Sequence, residues 1–125
     1  MEARKKVLVV DDEPCILRFT SANLSLEGYE VITAAGGEEA LALAKEEKPD
    51  IMLLDVLMTP LTGFDVLAQL RTYSQIPVIV FTARNDIGIL AISEGADGFI
   101  AKPFRIEELN QKIRAALGAT TARVI

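Results

Sequence analysis

The sequence predicts an α/β fold, with a parallel sheet buried between two layers of helices. Three observations predict it. Ile51-Met52-Leu53-Leu54 is apolar on both alternations and runs straight into Asp55; such a run marks a strand covered on both faces. Five strand-like segments alternate with five helical patterns, joined by the short loops expected of βα units. Acids, a hydroxyl and a lysine stand directly after four of the five strands. In a parallel sheet those positions share one edge, the edge where ligands bind.

Each element has a local reason. Lys6 to Val10 is a short apolar run, closed by Asp11-Asp12-Glu13-Pro14. Pro14 suits the first turn of a helix, where its missing N–H has no intrahelical partner to lose. That helix carries Leu17, Thr20 and Leu24 on one side and runs to about Glu27, where Gly28 stops it. Tyr29 to Ala34 is the second strand, and Gly36-Gly37 turns the chain. Glu38 and Glu39 open the next helix, with Lys45 and Lys48 in its last turn; both ends complement the helix dipole. Pro49 ends it.

After the central strand comes a loop, Val56 to Thr62, containing Pro60. Gly63 leads into a third helix with Phe64, Leu67 and Leu70 at helical spacing. Pro77 introduces the fourth strand, Val78 to Phe81, followed by the loop Thr82-Ala83-Arg84-Asn85. Asp86 is placed to cap a short helix to about Glu94, which Gly95 terminates. Gly98 to Ala101 is the fifth strand and Lys102-Pro103-Phe104 a loop. The last helix puts Ile106, Leu109, Ile113 and Leu117 on one stripe. Residues 1–125 read as a single domain with a core of about 5–117, and 118–125 as a tail or the start of a linker. Right-handed crossovers place helices on both faces of the sheet.

Composition narrows the function. The net charge is −5 and the pI about 4.7, unsuited to direct contact with nucleic acid by this domain. Its apolar runs are far short of the roughly 20 residues that span a bilayer, so no membrane role is expected. Cys15 is the only cysteine, which excludes an internal disulfide and is compatible with the reducing cytoplasm. There is no histidine, hence no His-based triad, no His metal ligand and no phosphohistidine on this chain.

The strand ends carry the chemistry. Asp11 and Asp12 follow the first strand, Asp55 the third, Thr82 the fourth and Lys102 the fifth. Carboxylates brought together raise one another's pKa, and a divalent cation removes that repulsion. An oxygen-only ligand set suits a hard ion such as Mg²⁺. A lone lysine can hold a phosphoryl oxygen as a point cation, Thr82 can donate to another, and Asp can act as a covalent nucleophile towards phosphorus. Taken singly, each acid is more ordinarily a turn or helix-cap residue; their joint placement, one after another at strand ends, favours chemistry.

This set resembles the receiver domain of two-component response regulators. The resemblance spans Lys6 to about Leu117 and rests on Val9-Val10-Asp11-Asp12-Glu13-Pro14, on Leu54-Asp55 with Gly63 following, and on Phe81-Thr82-Ala83-Arg84. Glu94-Gly95-Ala96-Asp97-Gly98-Phe99 and Lys102-Pro103-Phe104 complete it. It implies a flavodoxin-like, three-layer α/β/α fold with sheet order 2-1-3-4-5. It implies a phosphorylation-operated switch and no enzyme: a sensor histidine kinase or phosphotransfer protein delivers a phosphoryl group to Asp55. Asp11, Asp12, Asp55 and the backbone carbonyl of Leu57 would hold Mg²⁺, for which Mn²⁺ can substitute. Lys102 would contact the phosphoryl group, Thr82 and Phe99 would respond as the switch, and the Lys102–Pro103 bond would be cis. The signal would leave through a downstream protein or output domain.

The chain departs from that family in four places. Thr59-Pro60 puts threonine where proline is common. The aromatic switch position is Phe99, without a hydroxyl. Thr82 and Lys102 are 20 positions apart, about two fewer than usual. The helix containing Ile87-Gly88-Ile89-Leu90-Ala91-Ile92 is apolar nearly all round, where a surface helix shows a polar face. That helix, Phe99 and the last helix are therefore expected to form a partner surface, with a homodimer as one form and deeper burial of the helix as the alternative. Leu57 and Arg84 flank the acceptor and are candidates for screening it from water. Among rival functions, a dehalogenase-type phosphatase wants Asp-x-Asp, and a nucleotide site wants a glycine-rich loop. Asp11-Asp12-Glu13-Pro14 supplies neither. A receiver-like docking module that is no longer phosphorylated is the remaining alternative.

Overall fold

Ten elements alternate along the described residues. They are β1 (Lys6–Val10), α1 (Pro14–Leu26), β2 (Glu30–Ala34), α2 (Gly37–Glu47), β3 (Ile51–Asp55), α3 (Gly63–Leu70), β4 (Val78–Thr82), α4 (Asn85–Ser93), β5 (Gly98–Ala101) and α5 (Ile106–Val124). The computed structural model describes residues 4–124, and their side chains as far as 118. All strand pairs are parallel and the order is β2-β1-β3-β4-β5, as expected.

The two-residue period of a strand sorts side chains between two cores. Leu8, Val10, Met52, Leu54, Val78 and Val80 face one way, against α2, α3 and α4. Val7, Val9, Ile51, Leu53, Ile79 and Phe81 face the other, against α1 and α5. Each fully buried side chain of this size contributes about 1.5–3 kcal/mol relative to exposure. The central strands β3 and β4 are buried at every position, so Asp55 and Thr82 end them inside the protein rather than on its surface.

Several boundaries differ from expectation, each for a local reason. Tyr29 precedes β2, its N–H closing the end of α1 on Leu24. Lys48 lies beyond α2, as a left-handed C-cap with φ 48°. Asp86 does not cap α4: Arg84 is the N-cap, and Asp86 sits in the first turn, where its charge complements the dipole. The cause is the two-residue link from Thr82, which starts the helix early. α5 continues past Gly118 to Val124, so the expected tail is helical there; one glycine in a helix costs only about 1 kcal/mol. A capping box between Thr62 and Asp65 opens α3 and fixes the end of the loop after Asp55. The Lys102–Pro103 bond is cis as expected, and Thr59–Pro60 is cis too. Among the described residues, no helix is long and apolar enough to cross a membrane.

Candidate functional site at the strand tips

Three carboxylates converge where β1 and β3 end. Asp11 is fully buried, Asp55 is 5% exposed and Asp12 is open to solvent. One oxygen from each lies within 4.8 Å of the others, the spacing at which a single cation can bridge them. Adjacent parallel pairing sets this up: β1 lies beside β3, with Val10 opposite Leu54, so the residues that follow project from neighbouring tips. Asp11 is oriented by its own turn, its Oδ1 accepting from the Glu13 N–H at 2.9 Å.

Lys102 arrives from β5, 91 residues away in sequence, and closes the site. Its Nζ donates to Asp11 Oδ2 at 3.0 Å and stands 3.6 Å from Asp55 Oδ1 and 4.0 Å from Glu13 Oε1. Burial works against its ammonium, but the hydrogen bond to Asp11 and the charges of Asp55 and Asp11 outweigh it, so its pKa is raised. Burial also raises the pKa of Asp55, and the Asp11 charge adds to that; Lys102 and the Leu57 N–H oppose it. That N–H donates to Asp55 Oδ1 at 3.3 Å, while the Leu57 side chain lies open to solvent.

Thr82 and Phe99 lie on the neighbouring strands β4 and β5. Thr82 ends β4 beside β5, and its backbone carbonyl accepts from the Lys102 N–H at 2.8 Å. Its hydroxyl is held in its own loop, donating to the Arg84 carbonyl at 3.3 Å and accepting from the Arg84 N–H at 3.1 Å. The Arg84 guanidinium is engaged by Asp86 at 2.7 Å and sits in solvent, whereas the Leu57 backbone N–H reaches the Asp55 carboxylate. Phe99 pairs with Val80 in the sheet, and its ring packs towards α4.

Sequence reading gave three neighbours no role of their own at the site. Glu13 reaches Lys102, a contact that no local pattern announces. Phe81 lies beneath the Lys102 ammonium, 5.9 Å from ring centre to Nζ, and stacks on Phe104 at 5.1 Å. Gly63 is the third. A Cβ there would lie 2.6 Å from the Asp55 carbonyl oxygen and 2.7 Å from the Val56 Cα, both backbone atoms. Its glycine permits the close approach of α3 to the backbone of Asp55 and Val56, and its N–H donates to the Val56 carbonyl at 2.9 Å.

Residues 7–114 match the response regulator receiver domain family. The probable transcriptional regulator ycf27 of Cyanophora paradoxa is 46% identical over 119 residues, covering 94% of this chain and 50% of that protein. The transcriptional regulatory protein KdpE of Mycobacterium tuberculosis is 45% identical over 118 residues, covering 93% and 52%. The chain thus spans about half the length of these relatives. The structure of the chemotaxis protein CheY4 of Vibrio cholerae superposes with a TM-score of 0.86 at 36% identity, covering 91% of this chain and 99% of that one. A receiver domain protein from Methanospirillum hungatei gives 0.90 at 29% identity, covering 97% and 99%. Parallel sheet order, acidic strand tips, family match and relatives agree: the chain belongs to the response regulator receiver domains of two-component signalling.

Proposed function

We propose that Asp55 accepts a phosphoryl group from a sensor histidine kinase or phosphotransfer protein and that the modification shifts a partner surface around α4, β5 and α5. The single observation that carries this reading is Lys102 Nζ set between Asp11 and Asp55 at the edge of a three-carboxylate cluster. An Asp55 oxygen attacks phosphorus; the O–P bond forms as the P–N bond to the donor imidazole breaks, and the imidazole keeps its electron pair and takes up a proton. Lys102 faces the charge on the transferred oxygens as a fixed cation. The Thr82 hydroxyl, released from Arg84, turns to donate to one of them.

The donor set fits Mg²⁺: carboxylate oxygens with no nitrogen or sulfur among them. Asp11, Asp12 and Asp55 would hold it, with the Leu57 carbonyl as a further ligand and Mn²⁺ as a substitute. When bound, the ion screens the carboxylates from one another and from the incoming phosphoryl oxygens.

Ile89, Leu90 and Ile92 of α4 are exposed rather than sunk into the core, which supports a partner surface there. A second copy of the chain, a downstream protein or an output domain would cover it; the relatives' names point to regulation of transcription. Sedimentation with and without a phosphoryl mimic tests the homodimer, and a strict monomer in both states removes it. The acceptor is tested by incubation with acetyl phosphate and Mg²⁺, read by intact mass. Wild type should gain one phosphoryl group and Asp55→Asn none. No gain in wild type would leave the unphosphorylated docking module as the reading.

A further inference from the structure

The Phe99 ring, half-buried on β5, occupies space that a side chain at position 88 would need. A Cβ built on Gly88 would lie 2.5 Å from Cγ of that ring, 2.7 Å from Cε2, and closer still to Cδ2. These atoms form the body of a rigid ring, so relief requires rotation of the whole side chain to another rotamer or displacement of α4. Gly88 itself lies inside α4 and is not among the glycines with positive φ. A helix interior disfavours glycine relative to alanine. The helix therefore has no need of glycine at this position; the ring does.

We propose that Gly88 is a positioning residue for the switch, its missing side chain being the seat that holds the Phe99 ring against α4 in the unphosphorylated protein. This rests on the reading of Asp55 as acceptor and deepens it. Thr82 connects the two. Its hydroxyl grips both backbone groups of Arg84, the N-cap of α4. A Thr82 that turns towards a phosphoryl group loosens the start of α4, and Gly88 lies one turn further on. If the helix shifts, the ring must follow it or leave a gap whose lining loses its contacts. Shape alone then couples α4 to β5, and expelling the ring in advance favours the phosphorylated arrangement.

Gly88→Ala tests this. With para-fluorophenylalanine incorporated, the five phenylalanines give five fluorine resonances, and Phe99→Leu identifies the one that belongs to Phe99. In Gly88→Ala, that resonance should move before any phosphodonor is added. Phosphorylation by acetyl phosphate should become faster by about fivefold or more, as an arrangement ordinarily populated at about 0.1–10% becomes common before the donor arrives. In a Phe99→Ala background, Gly88→Ala should change the rate by no more than about twofold, the range within which independent substitutions add. An unmoved Phe99 resonance overturns the proposal, and so does full acceleration in the Phe99→Ala background. The fluorine signal needs no phosphoryl transfer, so a moved resonance in a protein that is never phosphorylated supports the seat and overturns only the acceptor reading. Should Gly88→Ala fail to fold while Phe99→Ala alone folds, the double variant has no collision and should fold as Phe99→Ala does; its failure then overturns the seat.

Discussion

The strand tips and the α4 face solve opposite problems. At the tips, polar groups are buried: Asp11, Asp55 and Thr82 are each 5% exposed or less, and Lys102 is drawn from β5 to neutralise them. Along α4, apolar groups are exposed, with Ile89 64% and Leu90 47% open to solvent. The first arrangement costs stability, because charged groups are taken out of water. The second leaves apolar surface that association can cover. Under the proposed function the tips receive the signal and the α4 face passes it on; neither imbalance is needed for the fold itself.

The comparison can be sharpened by experiment, beginning with the largest effect. Mg²⁺ should stabilise the tips alone. At about 100 times its dissociation constant it should add about 2.7 kcal/mol to unfolding, and Asp12→Ala should weaken that gain while leaving the metal-free stability nearly unchanged. Thermal melts in Mg²⁺ and in EDTA measure both; identical curves for the wild type would mean that the carboxylates do not share an ion.

Gly63→Ala should destabilise by about 1–3 kcal/mol, the usual cost of overpacking, because its Cβ meets backbone of Asp55 and Val56 that cannot swing aside. Its phosphorylation by acetyl phosphate should slow as well. Urea unfolding and the phosphorylation rate, taken together, separate this from a substitution that only loosens the core.

Asp55→Asn should stabilise the metal-free protein near neutral pH, and the sign follows from linkage. Burial and Asp11 raise the Asp55 pKa in the folded chain, so the native state holds its proton more tightly than the unfolded one. Stability is then lost as pH rises through the raised value, and asparagine escapes that loss. The advantage should amount to about 1.4 kcal/mol for each pH unit by which the carboxyl is raised, and it should vanish below the ordinary carboxylate range. An advantage that grew on acidification would contradict the burial of an ionised Asp55.

Ile89→Lys with Ile92→Lys should have the smallest effect on folding, within about 0.5 kcal/mol for each exposed position. It should nonetheless abolish any association that depends on the α4 face. Sedimentation and a thermal melt on one sample distinguish the two; a large fall in melting temperature would show that α4 is core after all.

The sequence by itself determined the elements and most of their chemistry. Short continuous apolar runs, glycines after helices and prolines before strands act through a residue's own backbone and its near neighbours. They placed β1 to β5 within a residue or so, together with the acids, Thr82 and Lys102 at their ends. Local signals were weak where two competed, as at Arg84 and Asp86 before α4 and at Gly118 within α5. Only tertiary structure decided that Lys102 pairs with Asp11 across 91 residues, that Gly63 lies on the Asp55 backbone, and that Phe99 fills the place of a side chain at Gly88. Those contacts join segments that meet only after the sheet has assembled. Their energies depend on distances between strands, and the order of residues along the chain carries no measure of such distances.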